Sequence, residues 1–520
     1  MTIVHDAAMT TGEEEIVTDL CIVGAGPAGI SIARELDGCG VRTCLLESGG
    51  TGIERRVQQQ SRGESDGYPI HLLHRSRVRA FGGTLRHPRI VDGGWAARPL
   101  DPIDFEARAG LPDSGWPFDR EYMIPYYARA QRVCALPPCD FSAGAWSDEV
   151  QREVLPVEGS EVEATVFQFS KADFQDARKP LTVSSNVRVL LHCRAVEITV
   201  DSHGRRIDAI VAVRDDRSRV VVRPRLVVFA AGGIENVRLL LTANGGCGLS
   251  NEHDVVGRYF AERLSLPVGY VVASRASSVD DATFFDRRGG VSGALRVADT
   301  VQRDRSLLNC AFSLVARPAA VTTDAVRSLS TLRKAAIRRP LVDGARKHVR
   351  HVVTGLGDLA DFAMSRVVPR PRVLVLRAQG EQAPNRDSRV SLGSRRDDLG
   401  IPVARVTWRT ADADHGSIRT SVGIVDAALA ARGFGFVKST FGDDPATLVE
   451  GNHHHLGTTR MHVDPRKGVV DANCRVHSME NLYIAGSSVF PTYGCSNPTL
   501  TIVALALRLA DHLRDVLGHR

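Results

Sequence analysis

Apolar residues along this chain follow two spacings, and their order predicts the architecture. Residues 19–24 (DLCIVG) run apolar at strand length and lead straight into Gly24-Ala25-Gly26-Pro27-Ala28-Gly29, after which ISIARELDGCG carries apolar side chains at helical spacing. The next run, VRTCLLE, predicts a second strand ending at Glu47. Strand, glycine turn, helix and strand in this order predict a βαβ unit. The signature returns where 220–230 (VVVRPRLVVFA) flows into Ala231-Gly232-Gly233-Ile234-Glu235 and a helix, preceded by strand-length runs at 186–198 (NVRVLLHCRAVEI) and 208–215. A second set of strands is expected between 265 and 450, including RVLVLRAQGEQ and IPVARVTWR, and the run TLTIVALALRLADHL predicts a buried C-terminal helix. No internal repeat or low-complexity segment breaks this order.

Length and composition narrow the picture. At 520 residues and 43% hydrophobic composition the chain exceeds one ordinary core, so two domains or two interleaved lobes are expected. The 66 basic and 60 acidic residues leave only +6, with Arg spread along the chain, so no nucleic-acid partner is implied. No apolar stretch approaches the ~20 residues of a membrane span, and MTIVHDAAMTTGEEE has neither a basic n-region nor an apolar h-region; a soluble cytoplasmic protein is the expectation. The ten cysteines are scattered, the closest being Cys134 and Cys139, which reads as reduced thiols with no metal site. Residues 323–368 are basic with apolar residues at helical spacing; of a membrane-surface or partner helix and a solvated helical excursion, the second is favoured.

The first glycine turn has a chemical reading. Gly24 permits the turn, Gly26 lets backbone approach a pyrophosphate, Gly29 lets helix and strand pack closely, and the helix N-terminus faces the phosphate charge. Glu47, eighteen residues after Gly29, can accept hydrogen bonds from an adenosine ribose and disfavours a 2'-phosphate. The motif by itself does not separate FAD from NAD. The Arg- and Gly-rich stretch RSRVRAFGGTLRHPRIVDGGWAARPLDPIDF is expected to be a loop lying along a ligand. Near the C-terminus, residues 452–461 read NHHHLGTTRM, and NLYIAGSSVFPTYGCSNPTLTIVALALRLADHL follows, with Asn497 as expected helix N-cap and Pro498 in the first turn. A helix starting there presents its positive end to a ligand that gains negative charge.

Together, GxGxxG, HxxGTxRM and GSSVFPT resemble the glucose-methanol-choline (GMC) oxidoreductase family, with further matches at FGG 81–83, WAARPLDPIDFEAR 95–108, SGWPF 114–118, PYYARA 125–130, AAGGIENVRLLL 230–241, HDVVGRYF 253–260 and PNRDSRV 384–390. The pattern HxxG followed by GxxNPTLT is most similar to the branch containing pyranose 2-oxidase and other sugar or glycoside oxidoreductases. The resemblance implies an α/β chain in which a Rossmann-like FAD-binding domain (1–100, 186–265 and 451–520) is interleaved with a mixed α+β substrate-binding domain (101–185 and 266–450). It implies FAD as cofactor, touched by Gly24, Gly26, Pro27, Ala28, Gly29, Glu47, Ser48, Gly82, Gly83, Thr84, His87, Val196, Ala231, Gly232, Gly486, Ser487, Asn497, Pro498 and Thr499, with Leu85 a weaker neighbour. His87, four residues beyond Gly83, has the spacing at which some members attach FAD covalently, although RHPRIVDGG interrupts the usual link to the following Trp and Pro88 redirects the chain.

The resemblance also implies a catalytic pair, His454 and Asn497. A neutral imidazole has the right pKa to accept a hydroxyl proton, while an amide is no base but can hydrogen-bond the substrate oxygen and hold the carbon near flavin N5. His453 and His455 carry no assigned role; a metal held by three consecutive histidines is disfavoured because their side chains diverge. The expected reaction is oxidation of a hydroxyl on a sugar, glycoside or aminosugar-containing natural product to a carbonyl, with dioxygen, a quinone or a redox protein as electron acceptor. An FAD-containing lyase of the same fold, oxidation of a non-sugar alcohol, and a non-catalytic flavoprotein are the alternatives.

Overall fold

A computed structural model of the chain describes residues 5–6, 14–67, 73–87, 90, 94–137, 140–144, 147, 155, 157, 161–274, 282–285, 287, 290–318, 325, 328–329, 332–333, 345–367, 372–441, 450–451 and 453–518. Its first sheet is built on strands β1 (Glu14–Val23), β2 (Thr43–Leu46), β3 (Val187–Leu191), β4 (Cys193–Val200), β5 (Ile207–Arg214), β6 (Arg219–Phe229) and β7 (Leu482–Ile484). The short strand His5–Asp6, then β3, β2, β1 and β6 lie side by side and parallel, and β5 and β4 continue the sheet antiparallel. β7 pairs parallel with the last three residues of β6, so Phe229 lies between Val23 and Ile484. The carboxyl ends of β1, β6 and β7 therefore open on one edge, where ligands bind in open parallel sheets.

Four helices set that edge: α1 (Pro27–Glu35), α2 (Arg120–Val133), α3 (Gly232–Thr242) and α4 (Thr499–Val516). α1 starts with Pro27, whose fixed φ and missing N–H suit a first turn. α4 packs against α1 and α2 and is buried along most of its length, which accounts for its apolar sequence. Among the described residues no helix is long and apolar enough to cross a membrane.

The second sheet is antiparallel throughout, in the order Gly435–Ser439, Leu264–Ala273, Arg372–Gly380, Cys310–Pro318, Val291–Val297, Val162–Ser170 and Trp95–Ala97, with Glu450–Gly451 beside Leu264–Ala273. Helix Asp412–Ala431 packs on it.

Several elements differ from expectation for local reasons. The run 186–198 is two strands, broken at His192, whose φ of 50° turns the chain. The break wraps the end of β2: His192 N donates to Gly49 O at 3.1 Å and Cys193 N to Glu47 O at 2.9 Å. The run IPVARVTWR supplies Pro402–Trp408, which pairs with Glu64–Gly67 and Arg389–Arg396 in a separate three-stranded sheet and not with the second large one. The Arg- and Gly-rich stretch contains a short 3-10 helix at Gly83–Arg86, the strand Trp95–Ala97 and the helix Pro102–Phe105. Of the basic segment 323–368, residues 345–354 and 356–367 form two helices with Val349, Val353 and Leu356 exposed, and much of the remainder lies outside the described residues. The nine described cysteines are free thiols, and Cys139 lies outside the described residues.

Candidate active site

One long cavity runs along the carboxyl ends of β1, β6 and β7. Its floor consists of three glycine turns. Gly24, at φ 111°, lies so close to β6 that an added Cβ would meet Ala230 O at 2.7 Å. By contrast, a Cβ built on Gly26, Gly232 or Gly486 meets nothing within 4 Å, because each faces open space. A fourth turn closes over the first: Gly82 N donates to Ala25 O at 2.8 Å, and a Cβ on Gly83 would come within 2.9 Å of Gly26 Cα. Backbone bare of side chains on several sides, with α1 aimed at it, fits a dinucleotide diphosphate.

Most residues expected from the sequence lie on this wall: Gly24, Gly26, Pro27, Ala28, Glu47, Ser48, Gly83, Thr84, His87, Val196, Ala231, Gly232, Gly486, Ser487, Asn497, Pro498 and Thr499. Gly29 and Gly82 do not reach it. Gly29 packs α1 on β1, where a Cβ would stand 2.0 Å from Gly24 O, and Gly82 shapes the covering turn at φ 101°. The buried Glu47 carboxylate is fixed by the chain, accepting from Ala25 N at 2.9 Å and from Gly49 N at 2.8 Å. Ser48 Oγ joins it at 3.2 Å and in turn accepts from Arg79 Nη1 at 3.1 Å.

Beside Glu47 lies a buried charge cluster with no counterpart in the sequence reading. Glu235, at the start of α3, faces Arg77 at 2.7 Å, Arg79 at 2.9 Å and Arg238 at 3.4 Å, while Asp397 pairs with both Arg194 and Arg238. Burial raises the Glu235 pKa, but the surrounding guanidinium groups outweigh it and hold the carboxyl well below its ordinary range. All four arginines and Glu235 line the cavity, so this end of it is cationic. Burial, joined by the like charges of Arg79 and Arg238 and opposed by Glu235, pulls Arg77 down to about 10, still charged at neutral pH.

At the other end stand His454, Asn497, Arg263, His87, His453 and Trp95. His454 is half-buried and opens onto the cavity; desolvation first, then the charge of Arg263 and the neighbouring His453 and His455, hold its pKa well below 6.5, so its ring is neutral at pH 7. The three histidines diverge. The His453 ring lies 5.5 Å from that of His87, and the His455 ring 5.9 Å from Phe260, with His455 Nε2 3.7 Å from Glu262. The segment is clamped by Gly457, whose Cβ would strike Tyr259 O at 2.4 Å, and by Ser487 Oγ, which donates to His455 O at 2.8 Å.

Asn497 does not cap α4 with its side chain, as the sequence suggested. The helix begins at Thr499 with no side-chain cap, and Asn497 Oδ1 accepts from Arg263 Nη1 at 2.9 Å. The loop before it is held by the stretch 98–104. Ser496 Oγ donates to Pro99 O at 2.9 Å and Thr492 Oγ1 to Asp104 O at 2.6 Å, while Arg98 grips Asp101 with two bonds of 2.7 Å. Asn309 ties Asp101 and Asp104 together at 3.0 and 2.9 Å.

Comparison with known proteins agrees with this geometry. Residues 384–506 match the GMC oxidoreductase family and residues 17–60 an FAD binding domain. Residues 384–506 are thus a GMC oxidoreductase domain. The chain is 24% identical to paromamine 6'-oxidase of Streptomyces fradiae over 99% of its own length and 95% of the relative's. It is 23% identical to 2-methyl-1,2-propanediol dehydrogenase of Mycolicibacterium austroafricanum over 97% and 96% of the two chains. Its fold matches pyridoxine 4-oxidase from Mesorbium loti with a TM-score of 0.57 at 16% identity, covering 95% and 99% of the chains. It is thus an FAD-dependent oxidoreductase acting on CH–OH groups. Arg77 and Arg79 belong to the Arg- and Gly-rich stretch expected along a ligand and Glu235 to the second glycine turn, whereas Arg263 carries no signal in the sequence beyond its charge before an apolar strand.

Proposed function

We propose that the whole chain is a GMC oxidoreductase that oxidises a hydroxyl group of a sugar, glycoside or aminosugar-containing natural product to the carbonyl, with His454 accepting the hydroxyl proton and Asn497 holding the oxygen. The observation that carries the proposal is a neutral, half-buried histidine on the wall of the cavity that Asn497 also lines. An alcohol must lose its O–H proton before or as hydride leaves carbon, and neutral imidazole is the group able to take it near pH 7. FAD, when bound, supplies the hydride acceptor. Asn497 offers amide hydrogens to the same oxygen and restricts the carbon to one approach. The glycine floor and Glu47 hold the dinucleotide.

The full-length likeness to an oxidase of the aminosugar paromamine supports a polyhydroxylated substrate, and the equally extensive likeness to a diol dehydrogenase makes a small non-sugar alcohol the second reading. The test is anaerobic flavin absorbance during titration with a panel of paromamine, D-glucose, an aryl β-glucoside and 2-methyl-1,2-propanediol. Bleaching by the first three but not the diol is expected. Bleaching by the diol alone transfers the assignment to small alcohols, and absence of bleaching throughout refutes the proposal.

A further inference from the structure

We infer that Arg263 is a positioning residue that decides which end of the Asn497 amide faces the substrate. The inference rests on the reading of His454 and Asn497 just given. Arg263 immediately precedes the strand Leu264–Ala273, is 4% exposed and lines the cavity that His454 and Asn497 also line. Its Nη1 hydrogens are shared among three acceptors: Asn497 Oδ1 at 2.9 Å, Gln379 Oε1 at 2.9 Å and the Cys495 carbonyl at 3.0 Å.

A guanidinium has donors only, so the Asn497 atom that meets it has to be the oxygen. The Nδ2 group is thereby left as the part of the amide available to a ligand. Held so, Asn497 can only donate to the reacting oxygen, and the hydroxyl proton is left to His454. The flipped amide would place two donors face to face beside Arg263 and would offer the hydroxyl a competing acceptor. Gln379 anchors Arg263 from the neighbouring strand, where it pairs with Ser265, and Cys495 ties it to the loop that carries Asn497. One cation thus registers the loop before α4 against the antiparallel sheet.

The test is a double-mutant cycle on FAD-loaded protein: Arg263→Gln, Asn497→Ala and both together, using the panel compound that bleaches the wild type fastest. Arg263→Gln should lower the limiting rate of anaerobic flavin reduction by about 10- to 100-fold, as expected for lost orientation, while the half-saturating concentration changes by no more than about threefold. On the Asn497→Ala background the same change should cost no more than about threefold, because no amide remains to be oriented. Arg263→Lys keeps a charge and a donor, should recover part of the rate, and carries the cycle if the Gln variant does not fold. Equilibrium binding of the purified carbonyl product, read from perturbation of the FAD spectrum, should weaken in the same non-additive pattern. Effects that multiply in the double variant overturn the inference alone, provided His454→Ala slows reduction. Unchanged reduction in His454→Ala, or no bleaching by any panel compound, overturns both the reading of the site and this inference.

Discussion

Replacing His454 by Ala removes the one group to which the proposal gives the hydroxyl proton. A positioned general base contributes roughly 10²- to 10⁴-fold, which at about 1.4 kcal/mol per decade is about 3 to 5 kcal/mol of barrier. The structure places this residue at the upper half of that range, because water, the substitute base, has to enter a buried site. Burial and the Arg263 charge keep the His454 pKa well below 6.5, so the wild-type rate should stay flat as pH falls from 8 through 6.5, where an ordinary histidine would already be losing its basic form. In His454→Ala the residual rate should instead climb with pH, since hydroxide replaces the lost base. Stopped-flow anaerobic reduction of the FAD-loaded proteins between pH 5.5 and 8.5 measures both quantities. A His454→Ala rate within about threefold of wild type, or a wild-type limb centred at or above about 6.5, would refute the assignment.

Three further outcomes follow from buried charge. Glu47→Ala removes the acceptor of two chain amides at the end of β2 and should weaken FAD retention by at least about tenfold, checked by the flavin-to-protein absorbance ratio after gel filtration; full occupancy would dismiss Glu47 as a ribose partner. Glu235→Gln removes the carboxylate that faces Arg77, Arg79 and Arg238, leaving Asp397 to Arg194 and Arg238, and should cost about 3 to 5 kcal/mol, read as a lowered urea midpoint that added salt does not restore. A midpoint unchanged at low and high salt would mean that the cluster contributes nothing. His454 and His455 are both held neutral in the fold and both take protons once unfolded, so the unfolded chain binds more protons below about pH 6.5. Stability is therefore intact above that pH and should fall below it by up to about 2.7 kcal/mol per pH unit, until the depressed folded pKa values are reached, and a urea midpoint equal at pH 7.5 and 5.5 would contradict this.

The parts of the fold legible in the sequence are those whose physics is local. The first strand, Gly24 turn and helix occupy contiguous residues, and each glycine has a local reason: a positive φ at Gly24, open space above Gly26, helix–strand contact at Gly29. The strand before Gly232 and the buried helix α4 were readable in the same way, from apolar spacing alone. Reading broke down where partners come from elsewhere in the chain. The run 186–198 has unbroken strand periodicity, but His192 has to turn it so that Cys193 can follow the end of β2. Pro402–Trp408 alternates like any strand, and only its partner Glu64–Gly67 decides which sheet receives it.

At the site the division is sharper. The sequence alone determined that a dinucleotide turn near the N-terminus coexists with a histidine segment and an Asn-Pro-Thr helix start near the C-terminus, since these are contiguous motifs. That they line one cavity follows from parallel pairing of β1, β6 and β7, strands separated by hundreds of residues. Asn497 shows the same limit in a single residue. By local propensity it is a helix cap, but a cap bond is worth less than a hydrogen bond to a buried guanidinium, and Arg263, 234 residues earlier, takes the oxygen. Local preference is settled along the chain, whereas pKa, amide orientation and charge balance depend on neighbours brought together only when the sheets and helices pack.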